Sequence, residues 1–73
     1  MPTLDTLKIG QSARIVSVRL PASEAQRLTE MGLTAGASVK VQKLAPLGDP
    51  MEIVVRGYHL SLRKSEAAGI EIE

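Results

Sequence analysis

The amino-acid sequence predicts a mainly β fold, in which a small, strongly bent antiparallel sheet of about five strands closes into a barrel and carries one inserted α-helix. Short segments alternate apolar and polar residues between glycine and proline breaks, and a single segment has helical period. The chain of 73 residues has no internal repeat and no linker, so residues 1–73 form one predicted domain. Barrel closure would also remove exposed edges from strands this short.

The first predicted strand covers residues 12–19. Three β-branched side chains, those of Ile15, Val16 and Val18, favour extended backbone there. Because Ile15 and Val16 are adjacent, the apolar residues do not alternate strictly. A bulge in the strand, or burial on both of its faces, would account for this pair.

The predicted helix covers residues 23–31. Ser23 is expected to cap its first turn, and Gln26 three residues later completes a capping-box pattern. Gly32 is expected to end the helix in left-handed backbone conformation, because glycine has no Cβ to oppose it. Leu33 can then fold back onto the helix.

Strand signals return in the second half of the chain. A tight reversal is expected at Gly57, and residues 46–50 contain too much proline and glycine for any regular element, so they are expected to form an exposed loop. A helical turn is predicted over residues 65–68, closed by Gly69. Period-two alternation and β-branched residues predict the remaining strands, which are residues 37–44, 51–55, 58–62 and 70–72.

The composition excludes several classes of protein. Because cysteine is absent, there is no disulfide framework, thiolate nucleophile or cysteine metal site. Nine basic and eight acidic residues give a net charge of +1, which creates no strong field for nucleic acid or for a membrane surface. No apolar run approaches the roughly 18–20 residues of a membrane span, and the N-terminus lacks a signal-peptide pattern. We therefore expect an unprocessed cytosolic chain without nucleic acid, membrane insertion or cofactor.

The sequence predicts no catalytic residue and no metal site. It lacks the glycine-rich loop with a lysine that binds phosphate groups. The single histidine, His59, alternates with Tyr58 and Leu60, which are expected to point inward, so His59 is expected to point outward. A buried transition-metal site usually needs at least three histidine, cysteine or carboxylate ligands, and one exposed histidine does not supply them.

A protein-interaction module remains as the functional class. Tyr58 is the only aromatic residue, whereas grooves for proline-rich peptides and platforms for single-stranded nucleic acid need several aromatic rings. The candidate surface combines the helix, its following turn and the loop before the third strand. Its predicted partner-binding residues are Arg27, Leu28, Glu30, Met31, Leu33, Leu47 and Met51. The alternative is that Leu28, Met31 and Leu33 only seal the helix onto the barrel.

Four motifs in a fixed order resemble those of the ferrous iron transport protein A (FeoA) family, and the resemblance covers nearly the whole chain. Each motif by itself is weak, but their order and spacing are specific. They are Arg27-Leu28-x-x-Met31-Gly32-Leu33-x-x-Gly36, Ala45-Pro46-x-Gly48-Asp49-Pro50, Arg56-Gly57-Tyr58 and Leu62-Arg63-x-x-Glu66-Ala67. The resemblance implies an SH3-like β-barrel with an inserted helix.

The resemblance also implies a function that the residues alone do not. Members of this family act with FeoB, a membrane permease that bears a cytosolic GTPase domain, and the resemblance implies support of transport by binding to that cytosolic part. The expected role is therefore that of an accessory protein. The alternative is a metal-binding sensor domain, because the SH3-like domain of metal-dependent repressors is similar to this family. Self-association through the short last strand is a further open alternative.

Overall fold

The structure, a computed structural model, describes residues 2–73 and contains five strands, two α-helices and two 3-10 turns. The predicted mainly β class is confirmed. The 3-10 turns are Leu4–Thr6 and Pro46–Gly48, so the predicted loop at residues 46–50 contains one short turn. The strands are β1 Ser12–Val18, β2 Ser38–Leu44, β3 Met51–Val55, β4 Tyr58–Leu62 and β5 Ile70–Ile72, and the helices are α1 Ala22–Glu30 and α2 Lys64–Ala67.

All five strands are antiparallel and form one sheet in the order β4-β3-β2-β1-β5. The register shifts between Ile15 and Ser17 in β1, and again between Val41 and Lys43 in β2. Irregularities of this kind bend a strand and increase its twist, which lets a small sheet curve around its own core. The shift at Ile15 is also the reason why the apolar residues of β1 do not alternate strictly.

Helix α1 begins at Ala22 and ends at Glu30, so the predicted capping by Ser23 is wrong. Pro21 occupies the capping position, and its carbonyl accepts the first helical hydrogen bond from the Ala25 N–H at 2.9 Å. Ser23 therefore lies inside the first turn, where its side chain cannot act as the cap. The predicted end of the helix is confirmed, since Gly32 has a φ of +99° and lies directly after the last turn.

The core is a single apolar cluster to which every strand, both α-helices and the first 3-10 turn contribute. Fourteen of its fifteen members are valine, leucine, isoleucine or alanine, and the remaining one is Met51. Among the residues that the structure describes, no polar or charged residue is buried. The buried residues are Leu4, Ile15, Leu28, Leu33, Ala37, Val39, Val41, Met51, Ile53, Val55, Leu60, Leu62, Ala67, Ile70 and Ile72.

The two outer strands of the sheet differ in how their free edges are covered. The N-terminal segment pairs with β5 through a bridge between Thr3 and Glu71, and the Ile72 N–H donates to the Pro2 carbonyl at 3.0 Å. Within residues 2–73, β4 pairs with β3 only. The hydrogen-bonded sheet is therefore open between β4 and β5, which α2 connects, so the expected removal of exposed edges by barrel closure is wrong for β4.

The carboxylate of Glu71 links β5 to β1 and makes the stability of the fold dependent on pH. It accepts hydrogen bonds from Ser17 Oγ at 2.6 Å and from Arg19 Nε at 2.7 Å. Two hydrogen bonds lower the pKa of Glu71 below its ordinary value. The bond from Ser17 has the larger effect and that from Arg19 the next. This contribution is therefore present above the ordinary carboxyl pKa and is lost as the pH falls through the lowered pKa of the folded state.

We expect the wild-type chain to lose stability on acidification and the Glu71→Gln variant to lose less. Thermal unfolding followed by circular dichroism from neutral pH into the acid range measures this slope. Glu24→Gln is the control, because no cation lies within salt-bridge distance of Glu24 in the described part of the chain. An acid slope of Glu71→Gln equal to that of the wild type would contradict the assignment.

Candidate interaction surface

A cavity of about 680 Å³ opens between α1, the end of β4, α2 and the loop before β3. Glu24 and Arg27 line it from α1, Ser61 and Arg63 line it from the β4 side, and Pro50 lines it from the loop. We call it the polar groove, because charged and hydroxyl side chains dominate its lining.

Glu66 of α2 organises one wall of the polar groove. Its Oε2 accepts a hydrogen bond from Arg27 Nη2, which ties α1 to α2. Its Oε1 accepts the Arg63 backbone N–H at 3.0 Å, which stabilises the start of α2. Both carboxylate oxygens are thus engaged within the chain, so the position of the Arg27 guanidinium is set by the fold.

The loop at residues 46–50 presents Leu47 to solvent. Leu47 is 98% exposed and has a φ of +69°, a left-handed conformation that leucine rarely adopts. The loop is held at both ends, because the Ala45 N–H donates to the Pro50 carbonyl at 3.0 Å and Asp49 Oδ1 accepts the Lys64 N–H at 2.9 Å. The loop therefore holds a large apolar side chain outside the core.

The turn after α1 is clamped from the β3–β4 hairpin. Arg56 donates from Nε to the Gly32 carbonyl at 3.2 Å and from Nη2 to Thr34 Oγ1 at 2.8 Å. A Cβ at Gly32 would lie 3.1 Å from Arg56 Cδ and 3.2 Å from Tyr58 Oη. The prediction that Tyr58 points inward is wrong, because this side chain is 39% exposed and its hydroxyl lies beside Gly32.

Three of the predicted partner-binding residues, Leu28, Leu33 and Met51, lie in the core. Their exposed fractions are 0%, 0% and 1%, so these side chains cannot touch a partner while the fold is intact. Their assignment as contact residues is corrected to a packing role. This result agrees with the alternative that the helix seals onto the sheet.

The other four predicted residues remain accessible. Arg27, Glu30 and Leu47 are exposed, and Met31 is partly buried against the core. Arg27 of α1 and Pro50 of the loop line the same groove. The helix and the loop, which the sequence analysis joined into one candidate surface, therefore border one cavity.

One wall of the groove, which β4 and α2 supply, was not predicted from the sequence. Ser61, Arg63 and Glu66 line it, and none of them was among the predicted site residues. A signal existed for two of them, because Arg63 and Glu66 belong to the last of the four family motifs. Their three-residue spacing places the Glu66 side chain within reach of the Arg63 backbone N–H.

His59 is exposed, as predicted, and its Nδ1 lies 3.5 Å from Glu52 Oε1 on the neighbouring strand. Within residues 2–73, no three histidine, cysteine or acidic residues come together in a group that could hold a metal ion. The same residues include no helix with the length and apolar character that crossing a membrane requires.

A sequence profile of the FeoA domain matches residues 3–73. The chain is similar to the Fe(2+) transport protein A/Fe(2+) transporter FeoB fusion protein of Porphyromonas gingivalis, with 39% identity over 70 residues. That match covers 96% of this chain but only 8% of the fusion protein, so the chain spans a small part of the curated relative's length.

Solved structures share the fold over almost the whole chain. The FeoA protein from Chlorobium tepidum is 41% identical, with a TM-score of 0.92 over 97% of this chain and 68% of that one. The zinc complex of Stenotrophomonas maltophilia FeoA, described as an SH3 domain protein, is 32% identical, with a TM-score of 0.87 over 100% of this chain and 91% of that one. A manganese-dependent transcriptional repressor, 10% identical with a TM-score of 0.86 over 97% of this chain and 40% of that one, shares the fold alone. The chain therefore belongs to the FeoA family, which is linked to ferrous iron transport and has the predicted SH3-like fold.

Proposed function

We propose that this chain is a cytosolic, non-enzymatic accessory protein that binds the cytosolic GTPase-bearing part of an FeoB permease and supports Fe²⁺ transport. The observation that carries the proposal is the fusion protein of Porphyromonas gingivalis, in which an FeoA portion and the FeoB transporter share one polypeptide. Covalent linkage raises the effective concentration of two modules that bind each other. A separate chain of the same family would make that contact as a free protein.

The contact residues that we propose are the accessible members of the predicted set. Leu47 is the central one, because a large apolar side chain held outside the core can enter a pocket of the partner with little loss of its own freedom. Arg27 and Glu30 supply charged groups on α1, and Met31 supplies an adaptable apolar side chain at the end of that helix.

We expect Leu47→Ser to weaken binding to the cytosolic part of the permease by at least about tenfold, since a central apolar anchor contributes on the order of 2 kcal/mol. Its free energy of unfolding should change by no more than about 0.5 kcal/mol, because Leu47 touches no core residue that a serine would leave unpacked. Isothermal titration calorimetry measures the first quantity and urea denaturation the second.

Ile9→Ser is the matched control, because Ile9 is the other strongly exposed aliphatic residue, at 61%, and lies outside the candidate surface. Its affinity should equal that of the wild type. Absence of binding by the wild-type chain on the order of tens of micromolar, with the full transporter in membranes also negative, would overturn the proposed function.

The second candidate function is direct binding of a transition metal, which the zinc complex of the Stenotrophomonas maltophilia relative favours. In this chain the place to test is the pair of His59 and Glu52, whose nearest nitrogen and oxygen lie 3.5 Å apart. Calorimetry with Fe²⁺ under anaerobic conditions and with Zn²⁺ separates the two functions. Tight one-to-one binding that His59→Ala abolishes would favour the sensor function.

A further inference from the structure

The sheet has one edge, that of β4, with which no further strand of the described chain pairs. The N-terminal segment lies against β5 through the pairing of Thr3 with Glu71, whereas β4 has β3 as its single neighbour among residues 2–73. An uncovered edge strand presents unpaired N–H and C=O groups, which are a template for an additional strand. Native proteins usually protect such edges against pairing with another chain, so an unpaired edge is a candidate binding site.

The turn between β3 and β4 determines which backbone groups point outward. Arg56 and Gly57 have φ values of +48° and +84°, as a two-residue type I′ hairpin requires. Val55 and Tyr58 flank this turn and therefore form a hydrogen-bonded pair, after which bonded and non-bonded pairs alternate. Ser61 lies opposite Glu52 in a non-bonded pair, so the N–H and C=O of Ser61 point away from β3. The same holds for His59, two residues earlier.

The open edge at Ser61 borders the polar groove. Ser61 lines this groove, and it also lines a second depression of about 240 Å³ together with Leu44 and Pro50. Side chains of a strand alternate between its two faces. A strand added beside Ser61 could thus direct one side chain into the polar groove and the next into the smaller, more apolar depression.

The charges in the groove indicate the chemistry of the added strand. Glu66 is engaged by Arg27 and by the Arg63 backbone, so its carboxylate is not available to a ligand. Glu24, the other carboxylate of the groove, has no cation within salt-bridge distance among the described residues, but it lies on α1, whereas Arg63 directly follows the edge strand β4. Within the described residues no carboxylate lies within salt-bridge distance of the Arg63 guanidinium, whose five donors favour a carboxylate partner. An acidic side chain on the added segment would pair with Arg63.

The composition of β4 favours an extended segment of a partner over a second copy of this chain. In a two-fold pairing of β4 with β4, the added strand would be Tyr58–Leu62 of the second copy, which contains no acidic residue. That strand would bring no carboxylate to Arg63, whereas an extended acidic segment would.

We propose that an extended, acidic segment of the permease's cytosolic part adds to β4 as a sixth strand, through the backbone of Ser61 and the guanidinium of Arg63. Such strand addition derives affinity from main-chain hydrogen bonds and specificity from the pockets that receive alternate side chains. The inference rests on the proposed function, and it names the site and the kind of segment that the function leaves open.

The test compares variants of the full chain in titrations with the cytosolic part of the permease. Ser61→Pro removes the outward N–H without disturbing a bond to β3, since proline is tolerated on an edge strand when its nitrogen faces outward. We expect Ser61→Pro and Arg63→Glu each to weaken binding by at least about tenfold. Ser61→Thr, which keeps the N–H on a β-favouring residue, is the matched control and should bind like the wild type.

Amide hydrogen exchange supplies a readout that does not depend on substitution. The amides of His59 and Ser61 should exchange at least about tenfold more slowly in the complex, because they become hydrogen-bonded there. Unchanged exchange at both amides, together with wild-type affinity of Arg63→Glu, overturns the inference and leaves the proposed function standing. If these amides exchange more slowly as the concentration of the chain alone increases, the edge pairs with a second copy. That result also overturns the inference. Failure of the wild-type chain to bind overturns the proposed function and this inference with it.

Discussion

Replacing Leu28 by alanine should lower the free energy of unfolding by about 2–5 kcal/mol. Leu28 is 0% exposed and is the one buried residue of α1, so its side chain holds the helix on the sheet. Removing three carbon atoms there takes away transfer free energy and leaves a cavity that the neighbouring strands cannot fill. A domain of this size has roughly 4–11 kcal/mol of stability, so the variant should unfold at a much lower urea concentration.

Thr29→Ala is the control for this measurement, because Thr29 is the exposed neighbour of Leu28 on the same helix. Its stability should remain within about 0.5 kcal/mol of the wild type. The opposite pattern, in which Leu28→Ala keeps wild-type stability but loses binding to the permease, would return Leu28 to the contact surface and contradict its packing role.

Gly69→Ala should destabilise the fold by about 1–3 kcal/mol through overpacking. A Cβ at Gly69 would lie 2.5 Å from Leu20 Cδ2 and 2.7 Å from the Arg19 carbonyl oxygen. The side chain of Leu20 can move, but the Arg19 backbone cannot, because its N–H donates to the Gly69 carbonyl at 2.6 Å. Relief of the clash therefore requires separating the end of β1 from the segment that leads into β5.

Ala68→Ser is the matched control, since it also adds one heavy atom in the same turn but at an exposed position. Its melting temperature should stay close to that of the wild type, whereas that of Gly69→Ala should fall. A Gly69→Ala variant as stable as the wild type would show that the chain relieves this contact without cost.

Much of the secondary structure could be predicted because its signals are local. Met51, Ile53 and Val55 alternate with polar or less buried neighbours, and the structure has a strand with that burial pattern. Gly32 has the left-handed conformation expected of a helix terminator. The capping of α1 was not predicted correctly, because the Ser23 and Gln26 spacing fits a capping box, whereas the helix begins one residue earlier, after Pro21.

The candidate surface was predicted in part, and its errors have one cause. Leu28 and Arg27 are neighbours on α1, and both belong to the family's helix motif. The sequence joined them in one surface, whereas the structure buries the first and exposes the second. Burial depends on which face of the helix meets the sheet, and that is decided by residues distant in the chain. Leu47 is exposed as expected for the loop, and its partner contact stays a prediction.

The sequence by itself determined the class of fold, the number of strands, the longer helix with its glycine terminator and the family, because these follow from periodicity and from motifs within short stretches of chain. The tertiary structure alone decided that the N-terminal segment covers β5 and leaves β4 open, that Arg27 and Glu66 meet 39 residues apart, and that Gly69 has no room for a side chain. Those features arise from contacts between segments far apart in sequence, whose geometry is set only when the whole core packs.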